Sequence, residues 1–508
     1  MIYICIHGHF YQPPRENPWT AEIDRQESAS PFHDWNERIY TECYKTNAEA
    51  PIIDDRGKII SVVNNYEYIN FNFGPTLLSW IKSKHYDTFL KIVEADKESV
   101  RHHNGHGNAI AMAYNHMIMP LTNERDKVTQ VRWGLKEFKY DFHRDAESMW
   151  LPETACNMPT VEVLINEGIK YIILDVGQAE MIRKIGTGSW TDVTHNNIDP
   201  QVPYRCFSET DKSKYIDIFF YDGPISRSIS FESVLASSSG LLKIIENAIP
   251  KNPTGDILIS TATDGETFGH HKKFAERTIA YFATRLASEN KMKIVNFGEC
   301  LESHIPEYEV KIKPGKNNEG TSWSCPHGVD RWKDDCGCGS GGGWHQRWRK
   351  PLRESLDWLR DELIKIYEEK GNTLFKDVWK ARNDYVDILL DRSNSAMLKF
   401  FNDNAKKILT NEEVNLSLNL LEMQKFAMFM FASCGWFFSE ISGIESVQNL
   451  KCAARAMEIA KDISGKSLEN EFLERLSLAE SNIKLYKNGR GVYEKLVKPL
   501  DKIYFNPL

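Results

Sequence analysis

Two short segments each place a carboxylic acid at the end of an apolar run that predicts a strand. Glu153 lies in residues 149–155 (MWLPETA), and Asp264 lies with Glu266 in residues 261–271 (TATDGETFGHH). Cleavage of a glycosidic bond needs such a pair: one carboxylate attacks or stabilises the sugar carbon, and the other carboxyl, kept protonated by its surroundings, protonates the leaving oxygen. The negative charge of Glu266 could help to raise the pKa of Asp264. A single acid at such a position could equally cap a helix, so the prediction rests on the pair.

Polar side chains follow each of seven predicted strands in the first 300 residues. We expect these strands at residues 2–6, 59–63, 99–103, 148–151, 171–174, 216–221 and 256–261. The polar residues that follow them are, in strand order, His7, His9 and Gln12; Asn64 and Asn65; His106 and Asn108; Glu153; Asp175; Asp222; and Asp264. In a β/α barrel the C-terminal ends of the strands converge on one face, so this pattern predicts one polar pocket. Helix caps and turns are the alternative role for any single Asp or Asn.

Segments of helical periodicity separate these strands, at residues 75–81, 127–142, 160–166, 239–247 and 274–287. The alternation predicts an α/β fold, a seven-stranded (β/α)7 distorted barrel over residues 1–315. Residues 316–350 are rich in Gly, Cys and Trp, which predicts a connector that lines the cleft. Residues 351–508 carry apolar stripes at helical spacing, so they predict a helical C-terminal domain.

Composition limits the class of protein. The chain has 508 residues and a net charge of −8, which argues against a general nucleic-acid binder. Its first residues lack the pattern of a signal peptide, and its most apolar window, residues 426–438, is shorter than the about 20 residues of a membrane span. We therefore expect a cytoplasmic protein with reduced thiols and with no nucleic-acid or membrane partner.

The only cluster among the ten cysteines lies in the predicted connector. Cys325, His327, Cys336 and Cys338 offer three thiols and one imidazole, a set that could form a closed tetrahedral zinc site. The usual C-x2-C pairs are absent, however, so we favour a Gly-rich loop with reduced thiols and expect no cofactor.

Ordered motifs give the first 350 residues a family resemblance. Residues 7–13 (HGHFYQP), 114–121 (YNHMIMPL), 150–153 (WLPE), 264–271 (DGETFGHH) and 322–323 (SW) resemble, in order, five motifs of glycoside hydrolase family 57. The first motif has two residues inserted before its Gln. The helical remainder, with residues 322–328 (SWSCPHG) and 433–438 (SCGWFF), resembles a C-terminal region attached to one subgroup of that family.

The resemblance implies a fold, an activity and a set of roles. Members of the family act on α-glucans and related sugars, and their catalytic domain is an incomplete seven-stranded barrel. By this resemblance Glu153 is the nucleophile and Asp264 the general acid/base of a retaining glycosidase or transglycosidase whose substrate is an oligosaccharide or polysaccharide. The residues expected to bind substrate or to orient the carboxylates are His7, His9, Gln12, His116, Trp150, Glu266, His270 and Trp323.

Two other functions stay open. A metal-dependent carbohydrate deacetylase also uses a distorted seven-stranded barrel and would take His7, His9 and His270 with acidic residues as ligands. A glycan-binding or regulatory protein on the same scaffold would keep the pocket without turnover. The sequence leaves open the glycan linkage, the choice between hydrolysis and transfer, and the oligomeric state.

Overall fold

The computed structural model describes residues 1–252, 255–339 and 341–498, which form two compact units. The sheet unit comprises Met1–Gln12, Arg25–Met112 and Phe138–Trp323. The helical unit comprises Pro13–Asp24, Ala113–Glu137 and Ser324–Leu508. The units are therefore interleaved along the chain, whereas the sequence analysis drew residues 1–315 as one continuous stretch.

The sheet unit contains every strand of the described residues. The strands are β1 (Ile2–Phe10), β2 (Ala50–Ile53), β3 (Ile59–Val63), β4 (Asn70–Phe73), β5 (Ala111–Met112), β6 (Met149–Trp150), β7 (Tyr171–Asp175), β8 (Ala179–Lys184), β9 (Thr191–Asp192), β10 (Tyr204–Phe207), β11 (Tyr215–Tyr221), β12 (Ile257–Asp264), β13 (Met292–Ile294) and β14 (Tyr308–Ile312).

Parallel pairing connects seven of these strands edge to edge. β1 pairs in parallel with both β4 and β12, β5 pairs with β6, and β7 pairs with β11. An isolated parallel bridge from Phe71 of β4 to Ala109 lies just before β5. A second one, from Ser148 to Tyr171 of β7, lies just before β6. The Asp222 amide, directly after β11, donates to the Ser260 carbonyl of β12 over 2.8 Å. The order along these contacts is β1-β4-β5-β6-β7-β11-β12, and the predicted α/β fold followed by a helical region is confirmed.

The central strand β1 is buried from Ile4 to Phe10, which includes both of its histidines. Strands covered on both faces lose the alternation of polar and apolar residues, because neither face meets water. The polar groups of such a strand must find partners inside the protein. The C-terminal half of β1 is therefore the part of the fold where polar side chains are held in fixed positions.

Of the seven predicted strands, the one at residues 59–63 forms but lies outside the parallel set, and the one at residues 99–103 does not form. Residues 59–63 form β3, which pairs antiparallel with β2 and is largely exposed, and residues 99–103 lie at the end of a helix. The strands that take their places are β4 and β5. β4 reads Asn-Phe-Asn-Phe and is buried throughout, so its two asparagines conceal it from hydrophobic patterning. β5 has two residues, which is too short for any periodicity to register.

The helices of the sheet unit lie between its strands. They are α1 (Trp35–Ile39), α2 (Lys45–Ala48), α3 (Pro75–Lys84), α4 (Tyr86–His102), α5 (Glu124–Phe142), α6 (Met158–Asn166), α7 (Gly223–Phe231), α8 (Ser238–Ala248), α9 (Ala275–Tyr281), α10 (Ala287–Glu289) and α11 (Phe297–Ser303), of which α5 begins in the helical unit.

The remaining helices belong to the helical unit. They are α12 (Arg349–Leu374), α13 (Val378–Asp384), α14 (Val386–Leu390), α15 (Asn394–Asn404), α16 (Asn411–Phe429), α17 (Cys434–Phe437), α18 (Ile444–Ser464), α19 (Glu469–Leu476) and α20 (Gly489–Val492). The apolar stripes on α12, α16 and α18 are buried as their spacing predicts. Across the described residues, none of the helices has the length and apolar character that a membrane crossing requires.

Candidate active site

Glu153 occupies a tight turn directly after β6. The turn Pro152–Thr154 is one turn of 3-10 helix, and Glu153 and Thr154 have φ of +58° and +50°. Side chains other than Gly, Asn and Asp rarely adopt this left-handed region, because it costs free energy that the surroundings must offset. Here Gln178 exchanges hydrogen bonds with Thr154: Thr154 Oγ1 donates to Gln178 Oε1 and Gln178 Nε2 donates to the Thr154 carbonyl, both over 2.8 Å. The strained turn therefore fixes the direction of the Glu153 side chain.

Trp323 holds Glu153 by two hydrogen bonds. Its indole Nε1 donates to Glu153 Oε2 over 3.0 Å, and its backbone amide donates to the Glu153 carbonyl over 3.1 Å. An N–H donor to a carboxylate stabilises the negative charge. The two bonds therefore fix the orientation of Glu153, and the indole N–H favours the charged form of its carboxyl group.

Asp264 is the last residue of β12 and lies opposite His9 of β1 in the parallel register. Part of the Asp264 side chain is exposed at the strand end, but protein atoms lie on most sides of its carboxyl group. Loss of water around the carboxyl, and secondly the negative charge of Glu153, raise its pKa to about 7. The two carboxyl groups therefore interact, and they differ in protonation: at neutral pH a large fraction of Asp264 holds a proton.

Glu266 is buried behind this pair. Its Oε1 accepts hydrogen bonds from the Tyr44 hydroxyl over 2.6 Å and from the Tyr11 amide over 3.0 Å. Burial, and secondly the charge of Asp264, raise its pKa to about 8. The sequence analysis expected the charge of Glu266 to help raise the pKa of Asp264, but Glu266 is not among the causes of that shift. Burial and Glu153 do so instead.

His7 and His9, both on β1, share one hydrogen-bonding partner. Asn72 of β4 lies between them, with its Oδ1 3.2 Å from His7 Nε2 and its Nδ2 2.9 Å from His9 Nδ1. Burial lowers the pKa of His9 to about 3, and burial together with the neighbouring His9 lowers the pKa of His7 to about 3. Both rings are therefore neutral at physiological pH, and they act as oriented hydrogen-bonding groups rather than as cations.

Trp150 supports both histidines. Its ring stacks on His7 at 4.8 Å and on His9 at 5.1 Å, and it meets Trp323 edge to face at 5.2 Å. Trp150 is only 1% exposed, so the contacts of its ring are with protein. The half-buried Trp323 is the more accessible of the two predicted tryptophans.

Three site residues were missed by the sequence analysis: Asn72, Tyr44 and Tyr221. Tyr221 ends β11, donates to Asp175 and meets Trp323 edge to face at 6.3 Å. Burial, and next the charge of Asp175, raise its pKa well above the usual value. Its position at a predicted strand end was a usable signal, whereas Asn72 lay on a strand that the sequence did not reveal.

Several predicted pocket residues serve the backbone instead. Asn64, Asp175 and Asp222 each accept a hydrogen bond from a backbone amide at the start of a helical turn. Asn65 and Asn108 donate to the backbone carbonyls of Glu276 and Tyr66, and His106 Nδ1 lies 2.8 Å from Glu147. The alternative role as a cap therefore applies to Asn64, Asp175 and Asp222, although Asp175 also accepts a hydrogen bond from Tyr221.

The other predicted binding residues have local partners. Gln12 Nε2 donates to the Tyr11 carbonyl over 2.9 Å. His270 Nδ1 pairs with Glu42 and meets Trp35 edge to face at 6.2 Å. His116 belongs to the helical unit, where its Nδ1 lies 2.6 Å from Ser433 Oγ.

The four residues of the predicted metal alternative come together in the helical unit. One ligand atom each from Cys325, His327, Cys336 and Cys338 lies within 4.8 Å of the other three. Among the described residues this is the one group of such side chains close enough to hold a metal ion. All ten cysteines are free thiols.

The parallel α/β scaffold carries an interacting pair of carboxyl groups, and the match of its sequence to a family of glycosyl hydrolases gives its class. Residues 3–313 match glycosyl hydrolase family 57, and the chain belongs to this family. Residues 344–503 match a domain of unknown function, DUF3536.

Solved structures of family 57 and related amylases have a similar fold. An exo-type maltose-forming amylase from Pyrococcus sp. ST04 is similar with a TM-score of 0.71 and 14% identity, over 99% of this chain and 94% of that one. A branching enzyme of family 57 from Thermococcus kodakaraensis is similar with a TM-score of 0.54 and 12% identity, over 98% and 95% of the two chains. At these identities the likeness shows the fold.

One curated relative shares local sequence. Alpha-amylase 1 of Dictyoglomus thermophilum is 28% identical over 109 residues, which are 21% of this chain. The match spans 15% of the length of that amylase.

Proposed function

We propose that the protein is a retaining glycosidase or transglycosidase that acts on an α-glucan or a related oligosaccharide. Glu153 is the nucleophile, and Asp264 is the general acid and base. The observation that carries this proposal is the asymmetry of the pair: Trp323 donates to Glu153, while burial and the charge of Glu153 raise the pKa of Asp264 to about 7. A general acid works best with a pKa near the operating pH.

In the first step Glu153 Oε attacks the anomeric carbon, and the bond from that carbon to the leaving oxygen breaks. The proton of Asp264 moves to the leaving oxygen, so Asp264 becomes a carboxylate and the sugar is held as an ester of Glu153. In the second step Asp264 takes a proton from water, or from a sugar hydroxyl, as that oxygen attacks the anomeric carbon and releases Glu153. Water gives hydrolysis, and a sugar hydroxyl gives transfer.

We also propose that the seven parallel strands close into a distorted (β/α)7 barrel that presents both carboxyl groups at one end. The edge-to-edge order from β1 through β4, β5, β6, β7 and β11 to β12 supports closure, because β12 pairs again with β1. The mechanism requires the carboxyl groups to lie about 5 to 5.5 Å apart. We keep the division into a catalytic region 1–315, a connector 316–350 and a helical region 351–508 as a proposal about function.

We assign the remaining residues by the contacts they make. His7, His9 and Trp150 are buried and stacked together, and His9 lies opposite Asp264 in the register of β1 and β12, so we propose that they position it. Trp323 is accessible and sits beside Tyr221, which makes it the best candidate for contact with a sugar face. Direct substrate contacts by Gln12, His116 and His270 remain predictions.

The carbohydrate deacetylase is less well supported. Its ligands would be His7, His9 and His270 with nearby acids, but His7 and His9 share Asn72, and His270 pairs with Glu42. Among the described residues, these histidines also belong to no group of side chains close enough to hold a metal ion. The glycan-binding alternative lacks a reason for a carboxyl with a pKa near 7, which catalysis supplies.

A panel of α-glucans and activated aryl glycosides tests the proposal. The wild type should release or transfer sugars with the anomeric configuration retained in the first product, as read by NMR. Glu153→Gln and Asp264→Asn should each lose at least about 100-fold in kcat. Glu289→Gln changes an exposed glutamate at the end of α10 and should keep full activity.

Three results would overturn the proposal. Inversion of configuration would exclude Glu153 as the nucleophile. Full activity in either carboxyl variant would remove that residue from the reaction. Saturable glucan binding without turnover on the whole panel would favour the glycan-binding alternative.

A further inference from the structure

Three cysteines and one histidine of the helical unit converge on a single point. The Cys325 sulfur lies 4.0 Å from that of Cys336 and 3.9 Å from that of Cys338, and Cys338 Sγ lies 3.5 Å from His327 Nδ1. They come from two short stretches of the chain, 325–327 and 336–338. None of the three cysteines forms a disulfide.

These distances are those of a tetrahedral zinc site. With zinc–sulfur bonds of about 2.3 Å, two sulfurs on one tetrahedral ion lie ~3.8 Å apart. With a zinc–nitrogen bond of 2.0 to 2.1 Å, a sulfur and a nitrogen on that ion lie ~3.5 Å apart. These three separations agree with the tetrahedral values to about 0.2 Å, and the other pairs among the four ligand atoms lie within 4.8 Å of each other.

The backbone around the cluster adopts the turns that such a site needs. Gly337, between two of the cysteines, has a φ of +76°, and Gly328, directly after His327, has a φ of +82°. A side chain other than glycine would be strained at either position. The chain thus uses glycine where it must bend tightly enough to bring neighbouring ligands to one point.

Arg349 gives an independent observation. It is fully buried at the start of α12, and its Nη1 lies 3.7 Å from Cys336 Sγ, while its Nη2 donates to the carbonyls of Phe437 and Phe438. Within the part of the chain that the structure describes, no carboxylate forms an ion pair with it. A buried guanidinium normally requires a counter-charge. A divalent ion bound by three thiolates and one neutral imidazole carries a net charge of −1, which supplies it.

We propose that Cys325, His327, Cys336 and Cys338 bind one structural zinc ion, with Arg349 as the cation that neutralises the centre. Four protein ligands leave no position for water or substrate, so the ion stabilises the fold rather than taking part in a reaction. Binding deprotonates the three thiols and fixes the loop 325–338 against the start of α12. The proposal is independent of the proposed catalytic function.

The metal content of the full-length protein, purified without a metal-affinity tag, tests this directly. We expect about one equivalent of zinc in the wild type. Cys325→Ser and Cys338→Ser should each hold less than a tenth of that amount, whereas Cys434→Ser, which changes a thiol outside the cluster, should keep it. The more zinc a variant loses, the lower its unfolding temperature should be relative to the wild type.

Cobalt(II) provides a readout that does not depend on the variants being well folded. Wild-type protein produced with cobalt should show the visible bands of a tetrahedral ion together with a near-ultraviolet sulfur-to-cobalt charge-transfer band. Less than a tenth of an equivalent of zinc in wild type produced with added zinc would overturn the proposal. Weak bands of an octahedral cobalt ion, or a disulfide between two of the three cysteines in freshly purified protein, would do the same.

Discussion

The indole Nε1 of Trp323 donates a hydrogen bond of 3.0 Å to Glu153 Oε2, although 170 positions of sequence separate the two residues. The Trp323 backbone amide donates a second hydrogen bond, to the Glu153 carbonyl. One residue therefore fixes both the turn that carries the carboxylate and the carboxylate itself. This relationship gives the site a direct test.

Replacement of Trp323 by Phe keeps most of the ring but removes the indole N–H. A hydrogen bond to a charged group contributes about 1.5–3 kcal/mol, so we expect kcat to fall about 10- to 100-fold. The measurement is steady-state kinetics on the best substrate of the glucan panel. Trp379→Phe, which removes an indole hydrogen bond of 3.1 Å to Glu368 within the helical unit, should leave kcat unchanged. A Trp323→Phe enzyme with wild-type kcat would show that the bond does not support Glu153.

Asp264 should set the alkaline limit of activity. The first step needs its proton, and its pKa is raised to about 7, so kcat/KM should decline as pH rises through about 7. Glu153→Gln removes the negative charge that raises this pKa, so the pKa of Asp264 should move down in that variant. Carboxyl-carbon NMR of labelled aspartate can follow the titration of Asp264 in the wild type and in Glu153→Gln, and it does not need an active enzyme. An unchanged or higher pKa in Glu153→Gln would contradict the coupling of the two groups.

How far the sequence predicts this site depends on how local each signal is. Glu153 lies in the turn after β6 and Asp264 ends β12, and both positions follow apolar runs, so their placement near strand ends was predictable. Asn72 lies on a strand whose asparagines mask its pattern, and its role depends on pairing with β1 across the sheet. The protonation of Glu266 depends on Tyr44, which is 222 residues away, and no local pattern contains that contact.

Asn72 should be important for the stability of the sheet unit. Asn72→Leu retains the size of the side chain but leaves His7 Nε2 and His9 Nδ1 without this shared partner. A buried polar atom that loses its partner costs about 1–3 kcal/mol, so the free energy of unfolding should fall by that amount or more. Chemical denaturation measures it. Asn290→Leu, at the partly exposed end of α10, is the control and should cost clearly less, and equal losses would refute the role of Asn72.

Glu266 should make stability depend on pH. Its pKa is raised from 4.5 to about 8 in the folded protein, so the folded state binds more protons than the unfolded state between these values. Its contribution to stability is therefore present below about pH 4.5 and is lost as pH rises through about 8. Glu266→Gln can still accept the hydrogen bonds from Tyr44 and the Tyr11 amide but cannot ionise. The Tm of this variant should decline less between pH 5 and 9 than that of the wild type, and parallel curves would contradict the shift.

The buried ion pair between Arg382 Nη1 and Asp126 Oδ1, 2.6 Å long, joins α13 to the N-terminal part of α5 within the helical unit. Both side chains are almost fully buried, and Arg382 also bonds Thr129 and Gln424. Asp126→Asn leaves the guanidinium charge buried without its carboxylate, so the free energy of unfolding should fall by about 3–5 kcal/mol. Asp145→Asn removes an exposed pair with Lys139 and should cost at most about 1 kcal/mol.

Because residues 113–137 belong to the helical unit, Asp126→Asn should act first on the unfolding of that unit, as local hydrogen exchange can report. Exchange that accelerates only in the sheet unit would show that this segment does not belong to the helical unit in solution.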